Sequence, residues 1–250
     1  MQAAVARPEA ARPLGRSASS SRVLSEGPSR MIGAHGWDAY SSRMSATSES
    51  AAERFLHDSV LHSRSQVLDR PSPVPAQSGV YGWWFRQRPS DLDDSACFHR
   101  DGLPLLYTGI SPKRPPTNGK PPSTQNLRSR VRTHYTGNAA GSTLRKTLGC
   151  LLAEQLGIEL RRVGSGQRLT FALGEQELSK WMGENAFVSW LPHDEPWEVE
   201  DHLIASLDVP LNLQGNARNV FHTELTSQRA AAVARARSLP TLPNPGVGGR

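Results

Sequence analysis

The sequence predicts an α+β fold with a small, mostly antiparallel central sheet flanked by helices. Two short apolar segments, 79–85 (GVYGWWF) and 103–110 (LPLLYTGI), are typical of buried strands, and they are close enough in the chain to pair antiparallel. Alternating runs on both sides of the glycine-containing turn 164–167 predict an added β-hairpin. The remaining apolar residues largely recur with helical period, which predicts the flanking helices.

The chain has 250 residues, of which 37% are hydrophobic and 21% charged. This composition is typical of one globular domain with additional non-globular sequence. We expect residues 1–77 to form a low-complexity, disordered arm, because small, polar and proline residues dominate most of it. One amphipathic helix is expected within that arm, over 51–68. The globular domain is predicted at 78–237 and a flexible tail at 238–250.

Helices are predicted where a capping residue precedes an apolar pattern of helical period. Thr124 caps a helix over 125–135, and Ser142 caps a longer helix that ends at Leu156, before Gly157. The other predicted elements, in chain order, are the hairpin strands 158–163 and 168–173, a helix over 175–185, a strand over 186–191, and helices over 197–207 and 220–237.

Charge is distributed unevenly along the predicted domain, whose chain carries a net charge of +6. Residues 102–153 contain eight basic side chains and no acidic one, whereas 174–217 contain nine acidic residues and one lysine. A basic half can collect the phosphates of a polyanion, and an acidic half can hold a divalent cation. The alternative is a chance imbalance on solvated faces. The pattern favours nucleic acid, contacted by Lys113, Arg114, Lys120, Arg128 and Arg132.

The sequence also predicts a cytoplasmic protein that does not enter a membrane. Cys97 and Cys150 are its two cysteines and neither lies in a CxxC motif, so we expect a reducing compartment rather than disulfides or a zinc site. No apolar run approaches the roughly 20 residues that span a bilayer. The N-terminus lacks the apolar core of a secretory signal.

Two polar features in the predicted helices indicate a functional site. Arg130 and His134 are four residues apart, so they share one helix face. Glu200 aligns with the apolar stripe of Leu203 and Ile204, where a carboxylate is unfavourable unless it is paired or binds a metal. The alternatives are a basic surface helix for the first pair and, for Glu200, a first-turn residue stabilised by the helix dipole.

Two tyrosines on the predicted strands complete the set. Tyr81 follows Gly79 by two residues, and Tyr107 precedes Gly109 by two. A glycine in a strand can mark a close approach of backbone to another group. The alternative is that both tyrosines are core aromatics with satisfied hydroxyl groups.

The ordered series resembles the GIY-YIG nuclease superfamily over residues 78–220, and the whole chain is similar to stand-alone GIY-YIG domain proteins of bacteria. The tripeptides at 79–81 (GVY) and 107–109 (YTG) resemble the two signatures of the family. Arg130 matches its catalytic arginine, and His134 matches the tyrosine or histidine that follows four residues later. The metal-binding glutamate and the trailing asparagine of the family are matched by Glu200 and Asn212.

The resemblance implies a GIY-YIG-like fold and a metal-dependent endonuclease that hydrolyses phosphodiester bonds in DNA at a one-metal site. Glu200 would bind Mg²⁺ or Mn²⁺, and Arg130 would stabilise the charge of the transition state. Tyr81 would act as general base or position the water, with Tyr107 and His134 orienting it or relaying protons. The implied catalytic residues are Tyr81, Tyr107, Arg130, His134 and Glu200.

Asn212 is expected to brace the loop that follows Glu200, and we also predict it among the nucleic-acid-binding residues. Two features depart from the family. The two signature tyrosines are 26 residues apart, which is longer than the usual hairpin. Ile110 also replaces a lysine that many members carry three residues after the second tyrosine, and Lys113 is a candidate to take its place.

Other interpretations stay open at this point. A non-catalytic nucleic-acid-binding module of the same fold is the first alternative, and a structural or interaction protein is the second. RNA remains open as a substrate, and the sequence does not predict an oligomeric state.

Overall fold

The computed structural model describes residues 47–244. The strands are β1 (Gly79–Phe85), β2 (His99–Arg100), β3 (Leu103–Ser111), β4 (Arg161–Val163), β5 (Arg168–Thr170) and β6 (Ala186–Pro192). The helices are α1 (47–57), α2 (Arg64–Leu68), α3 (Leu127–Thr136), α4 (Thr143–Leu151), α5 (Ala153–Leu156), α6 (Gly174–Asn185), α7 (Pro196–Ser206) and α8 (His222–Ser238). The central sheet has the order β2-β3-β1-β6 with antiparallel neighbours, and β4 and β5 form the hairpin. The predicted α+β fold is confirmed.

Strand β1 is the centre of the domain, and all seven of its residues are buried. Its side chains alternate between the two faces of the sheet. Tyr81 and Trp83 belong to a core shared with α3, α4, α6 and α8. Val80 and Trp84 belong to a second core shared with α1 and α7. The sheet therefore lies between two helical layers, and this is why β1 is apolar on both faces.

The single helix predicted over 51–68 is wrong. It is divided into α1 and α2, because His62 forms two backbone hydrogen bonds with Val188 on the outer edge of β6, at 2.8 and 2.9 Å. Phe55 and Val67 are buried on either side of this break. Residues from 47 onward therefore pack against the domain, although we expected them to be part of a disordered arm. The rest of that arm lies outside the described residues.

One helix cap and one internal helix break differ from the prediction, and two other helix ends agree with it. Helix α3 is capped by Asn126 through a capping box, two residues later than the predicted cap Thr124. The predicted helix over 142–156 breaks at Leu152 into α4 and α5. Its N-cap is Ser142 and it ends at Gly157 with φ of 60°, both as predicted.

The first part of the tail predicted at 238–250 lies against the hairpin. Leu242 donates its backbone N–H to the carbonyl of Arg162 and accepts one from Gly164. This segment satisfies backbone groups at the open edge of β4, which explains its position there. Residues beyond 244 lie outside the described part of the chain. Between 47 and 244, no helix has the length and apolar character needed to cross a bilayer.

Candidate active site

The two tyrosine–glycine tripeptides lie side by side in the sheet. Strands β1 and β3 pair so that Tyr81 lies opposite Gly109. A β-carbon at Gly109 would lie 2.5 Å from the Tyr81 hydroxyl oxygen, and one at Gly79 would lie 2.4 Å from the carbonyl oxygen of Leu191. Both distances are too short for a side chain, so both positions need glycine. Gly109 leaves the space in which the Tyr81 hydroxyl lies.

That hydroxyl is the centre of a hydrogen-bonded chain running from α3 to the start of α4. It lies 2.9 Å from Nε2 of His134 and accepts a hydrogen bond from Nε of Arg130 at 3.3 Å. Nδ1 of His134 lies 2.7 Å from Oγ of Ser142. Because Arg130 and His134 are one turn apart on α3, both reach the same tyrosine oxygen.

The turn between α3 and α4 is fixed by a buried ion pair that the sequence reading missed. The Arg145 guanidinium is fully buried and pairs with the Glu175 carboxylate at 2.7 Å. It also donates to the backbone carbonyl of His134 at 3.1 Å. On the same turn, Nη1 of Arg130 donates to the carbonyl of Gly141 at 3.0 Å. These bonds fix the turn on which Arg130 and His134 depend, and they satisfy a buried charge that would otherwise be strongly unfavourable.

His134 is a neutral imidazole in this setting. Burial lowers its pKa well below the ordinary value, and the charges of Arg130 and Arg145 lower it further. Ser142 Oγ accepts the backbone N–H of Arg145 at 3.0 Å, and it can either accept from or donate to Nδ1 of the imidazole. When it donates, Nε2 carries the proton and Tyr81 accepts from both His134 and Arg130.

The two tyrosines are held in the protonated form in the free protein. Burial raises the pKa of Tyr81, the charge of Glu200 raises it further, and Arg130 opposes the shift. The pKa of Tyr107 lies well above its usual value, mainly because of burial and then because of Tyr81 and Glu200. The ring of Tyr107 lies 6.4 Å from that of His134, centre to centre. All the predicted catalytic residues on β1, β3 and α3 are therefore brought together.

Glu200 reaches this group from α7, the helix on the opposite face of the sheet. Leu203 and Ile204 of α7 are buried in the second core, and the Glu200 carboxylate lies half-buried beside them. Burial raises its pKa to about 7, Asp201 adds to the rise, and nearby cations, Arg114 first, oppose it. Within residues 47–244, Glu200 has neither a hydrogen bond nor an ion pair.

An unpartnered, half-buried carboxylate fits a hard cation, which prefers oxygen ligands. No cluster of three or more acidic, histidine or cysteine side chains occurs in the described part of the chain. Water and substrate oxygens would therefore fill most positions of a cation bound at Glu200.

The predicted nucleic-acid contacts lie in different settings. Lys113 is exposed, and its charge opposes the rise in the pKa of Glu200. Arg114 is paired with Asp201 at 2.7 Å and with Glu198 at 3.6 Å, so the loop after β3 lies against α7. Arg128 is anchored through Nε to a backbone carbonyl at 2.7 Å. The other two, Lys120 and Arg132, are exposed.

Asn212 does not fit the predicted contact with nucleic acid, because it is buried. Its amide oxygen accepts the backbone N–H of Thr108 at 2.8 Å, and its amide nitrogen donates to the carbonyl of Thr108 at 2.9 Å. The side chain thus makes the two backbone hydrogen bonds that a neighbouring strand would make on the open edge of β3. It braces the backbone between Tyr107 and Gly109, rather than the loop after Glu200.

One comparison with known proteins identifies the family of this chain. The sequence profile of the GIY-YIG catalytic domain matches residues 79–231, more than half of the chain. No curated protein and no solved structure matches it. The matched range contains both tripeptides and all five predicted catalytic residues. The chain belongs to the GIY-YIG catalytic-domain family, whose members are typically nucleases.

Proposed function

We propose that the protein is an endonuclease that hydrolyses phosphodiester bonds in DNA with one divalent metal ion. The observation that supports this most strongly is the hydrogen-bonded chain from Arg130 through Tyr81 to His134, coupled electrostatically to an unpartnered Glu200. A structural role would not need an unpaired carboxylate beside a cation and two buried tyrosines.

In this proposal Glu200 holds Mg²⁺ or Mn²⁺, which when bound stabilises negative charge on the reacting phosphate. Arg130 neutralises charge that develops on the phosphate, because the bonds to Tyr81 and Gly141 fix its guanidinium in advance. Tyr81 positions the attacking water and takes its proton while its own hydroxyl proton passes to Nε2 of the neutral His134. His134 holds the tyrosine oxygen in place and supports this transfer, while Tyr107 stays protonated beside it.

The substrate follows from the charge around the site. Lys113 and Lys120 are exposed in the loop after β3, and Arg132 is exposed on α3, the helix that also carries Arg130; these positive charges support a nucleic acid backbone as ligand. DNA is our proposal, and RNA is the other outcome of a substrate comparison. Cys97 and Cys150 are free thiols, which supports a cytoplasmic location.

Cleavage of supercoiled plasmid in the presence of Mg²⁺ tests the proposal. Glu200→Gln removes the carboxylate and should abolish nicking while leaving DNA affinity nearly unchanged in fluorescence anisotropy. Glu198→Gln, which changes a carboxylate on the same helix that is paired with Arg114, is the matched control and should still cut. Nicking by Glu200→Gln at the wild-type rate would contradict the assignment.

A second candidate is a nucleic-acid-binding module that does not cut. It is favoured by Ile110, which stands where many members have a lysine and packs its apolar side chain on the second core. This candidate predicts that the wild type binds DNA but shows no metal-dependent nicking.

A further inference from the structure

Two basic side chains lie together outside the hydrogen-bonded chain of Tyr81. Arg229 on α8 donates from Nη1 to the hydroxyl of Thr147 on α4 at 3.2 Å. Lys146 is the residue before Thr147, and both cations are half-buried. Burial lowers the pKa of each, and the charge of Arg229 lowers that of Lys146 further.

This pair has no counter-charge. Among residues 47–244, neither Lys146 nor Arg229 forms an ion pair with a carboxylate. Cys150 lies close to both, but burial raises the pKa of its thiol, so it stays neutral. Arg145, on the same helix, differs from this pair because the carboxylate of Glu175 balances its buried charge. Two half-buried like charges are unfavourable unless an anion lies between them.

The pair is next to the candidate site. Lys146 lies in the first turn of α4 and donates its backbone N–H to the carbonyl of Ser142, the N-cap of this helix, at 3.0 Å. Ser142 is the residue that contacts His134. From the other direction, Arg229 interacts electrostatically with Tyr107 and opposes the rise of its pKa. Arg229 is therefore close enough to act on Tyr107 of the site, and Lys146 lies on the helix that Ser142 caps.

We propose that Lys146 and Arg229 form a phosphate subsite that holds a backbone phosphodiester of the substrate strand, flanking the bond that is cut. The inference rests on the proposed function, since it names a further contact of the same substrate. The guanidinium supplies a fork of N–H donors suited to two phosphate oxygens, and the ammonium adds a point charge. The subsite makes no covalent bond; it positions the strand relative to Arg130.

The test is the affinity for a fluorescein-labelled DNA duplex, measured by anisotropy without divalent metal. Arg229→Gln retains an amide that can still bond Thr147, and we expect binding roughly tenfold weaker. Lys146→Gln should give a similar loss. The double variant should lower the slope of log affinity against log salt by about one phosphate contact. Thermal melting of each variant checks that the fold is intact.

Arg237→Gln is the matched control. It removes the same charge from α8, eight residues and about 12 Å further along the helix, at an exposed position. It should leave affinity and salt slope unchanged. The inference is overturned if Arg229→Gln and Lys146→Gln bind DNA as tightly as Arg237→Gln does.

Two further outcomes separate this inference from the function it rests on. If the wild type binds neither duplex nor single-stranded DNA, the proposed function fails and the subsite fails with it. If the wild type binds and cuts DNA, but Arg229→Gln and Lys146→Gln bind DNA as tightly as Arg237→Gln, the function stands and only the subsite is wrong. A different result is that inorganic phosphate stabilises the wild type but not Arg229→Gln, while both bind DNA with equal affinity. That result would assign the pair to a free phosphate and overturn the strand contact.

Discussion

The β1–α3 side of the site and the α7 side differ in how their polar groups are satisfied. On the first, the Tyr81 hydroxyl is bonded to both Arg130 and His134, and His134 is bonded in turn to Ser142. On the second, Glu200 is half-buried without a bond or an ion pair among the described residues. The first side is complete in the protein alone, whereas the second leaves a carboxylate without a partner, and this is where we propose that a cation binds.

The largest expected effect on activity comes from removing Arg130, the cation of the β1–α3 side. Arg130→Ala should reduce the rate of plasmid nicking by roughly 10³-fold, because a preorganised charge aimed at the phosphate is lost. Arg237→Ala, which removes an exposed arginine from α8, is the control and should keep most of the activity. Equal rates for the two variants would remove Arg130 from the catalytic set.

The unsatisfied side predicts a pH-dependent change in stability. Glu200 has a pKa raised from 4.5 to about 7, so the folded chain binds more protons than the unfolded chain between those values. Stability from this group therefore falls as pH rises through that window. Glu200→Gln should be more stable than the wild type above pH 7, by at most about 3 kcal/mol and less where solvent screens the charge. The two should converge below about pH 4.5, as chemical unfolding across pH will measure.

Gly109→Ala tests the space that holds the Tyr81 hydroxyl. The new β-carbon would collide with the tyrosine oxygen and displace it from Arg130 and His134. We expect a loss of about 1–3 kcal/mol in the free energy of unfolding and a matching loss of nicking. Gly183→Ala is the comparison, because this residue lies inside α6 and a β-carbon there meets only Cδ of the Arg64 side chain, at 3.2 Å. Full activity in Gly109→Ala would show that the Tyr81 position is not critical.

Ser142→Ala should have the smallest effect, on both stability and proton transfer. The helix loses its N-cap, worth about 1 kcal/mol, and His134 loses the partner of Nδ1. We expect a modest fall in kcat with a shifted pH profile, and rescue of both by Ser142→Thr, which restores the hydroxyl. A variant with reduced stability but an unchanged pH profile would leave Ser142 with only its capping role.

The sequence was sufficient to predict the elements whose pattern is local. Strand β1 has the predicted bounds because every residue of it is apolar or glycine, and Glu200 was identified because it interrupts an apolar stripe. The break between α1 and α2 was not predictable, since it depends on His62 pairing with Val188, a residue 126 positions away in the chain.

The supporting contacts of the site were also hidden from the sequence. Arg145 was counted among the basic residues of a polyanion surface, yet its partner Glu175 lies 30 residues away and buries it completely. Asn212 was assigned to substrate binding because spacing gives no information about burial. Its pairing with the backbone of Thr108 becomes visible only when the open edge of β3 is known.

The contrast between the two sides is tested most directly by counting bound Mn²⁺ with electron paramagnetic resonance above pH 7, where Glu200 is ionised. The account predicts one weakly held ion on the wild type, its loss in Glu200→Gln, and its retention in Glu198→Gln. Binding that is equal in wild type and Glu200→Gln would contradict it, because the unpartnered carboxylate would then not be the group that the cation satisfies.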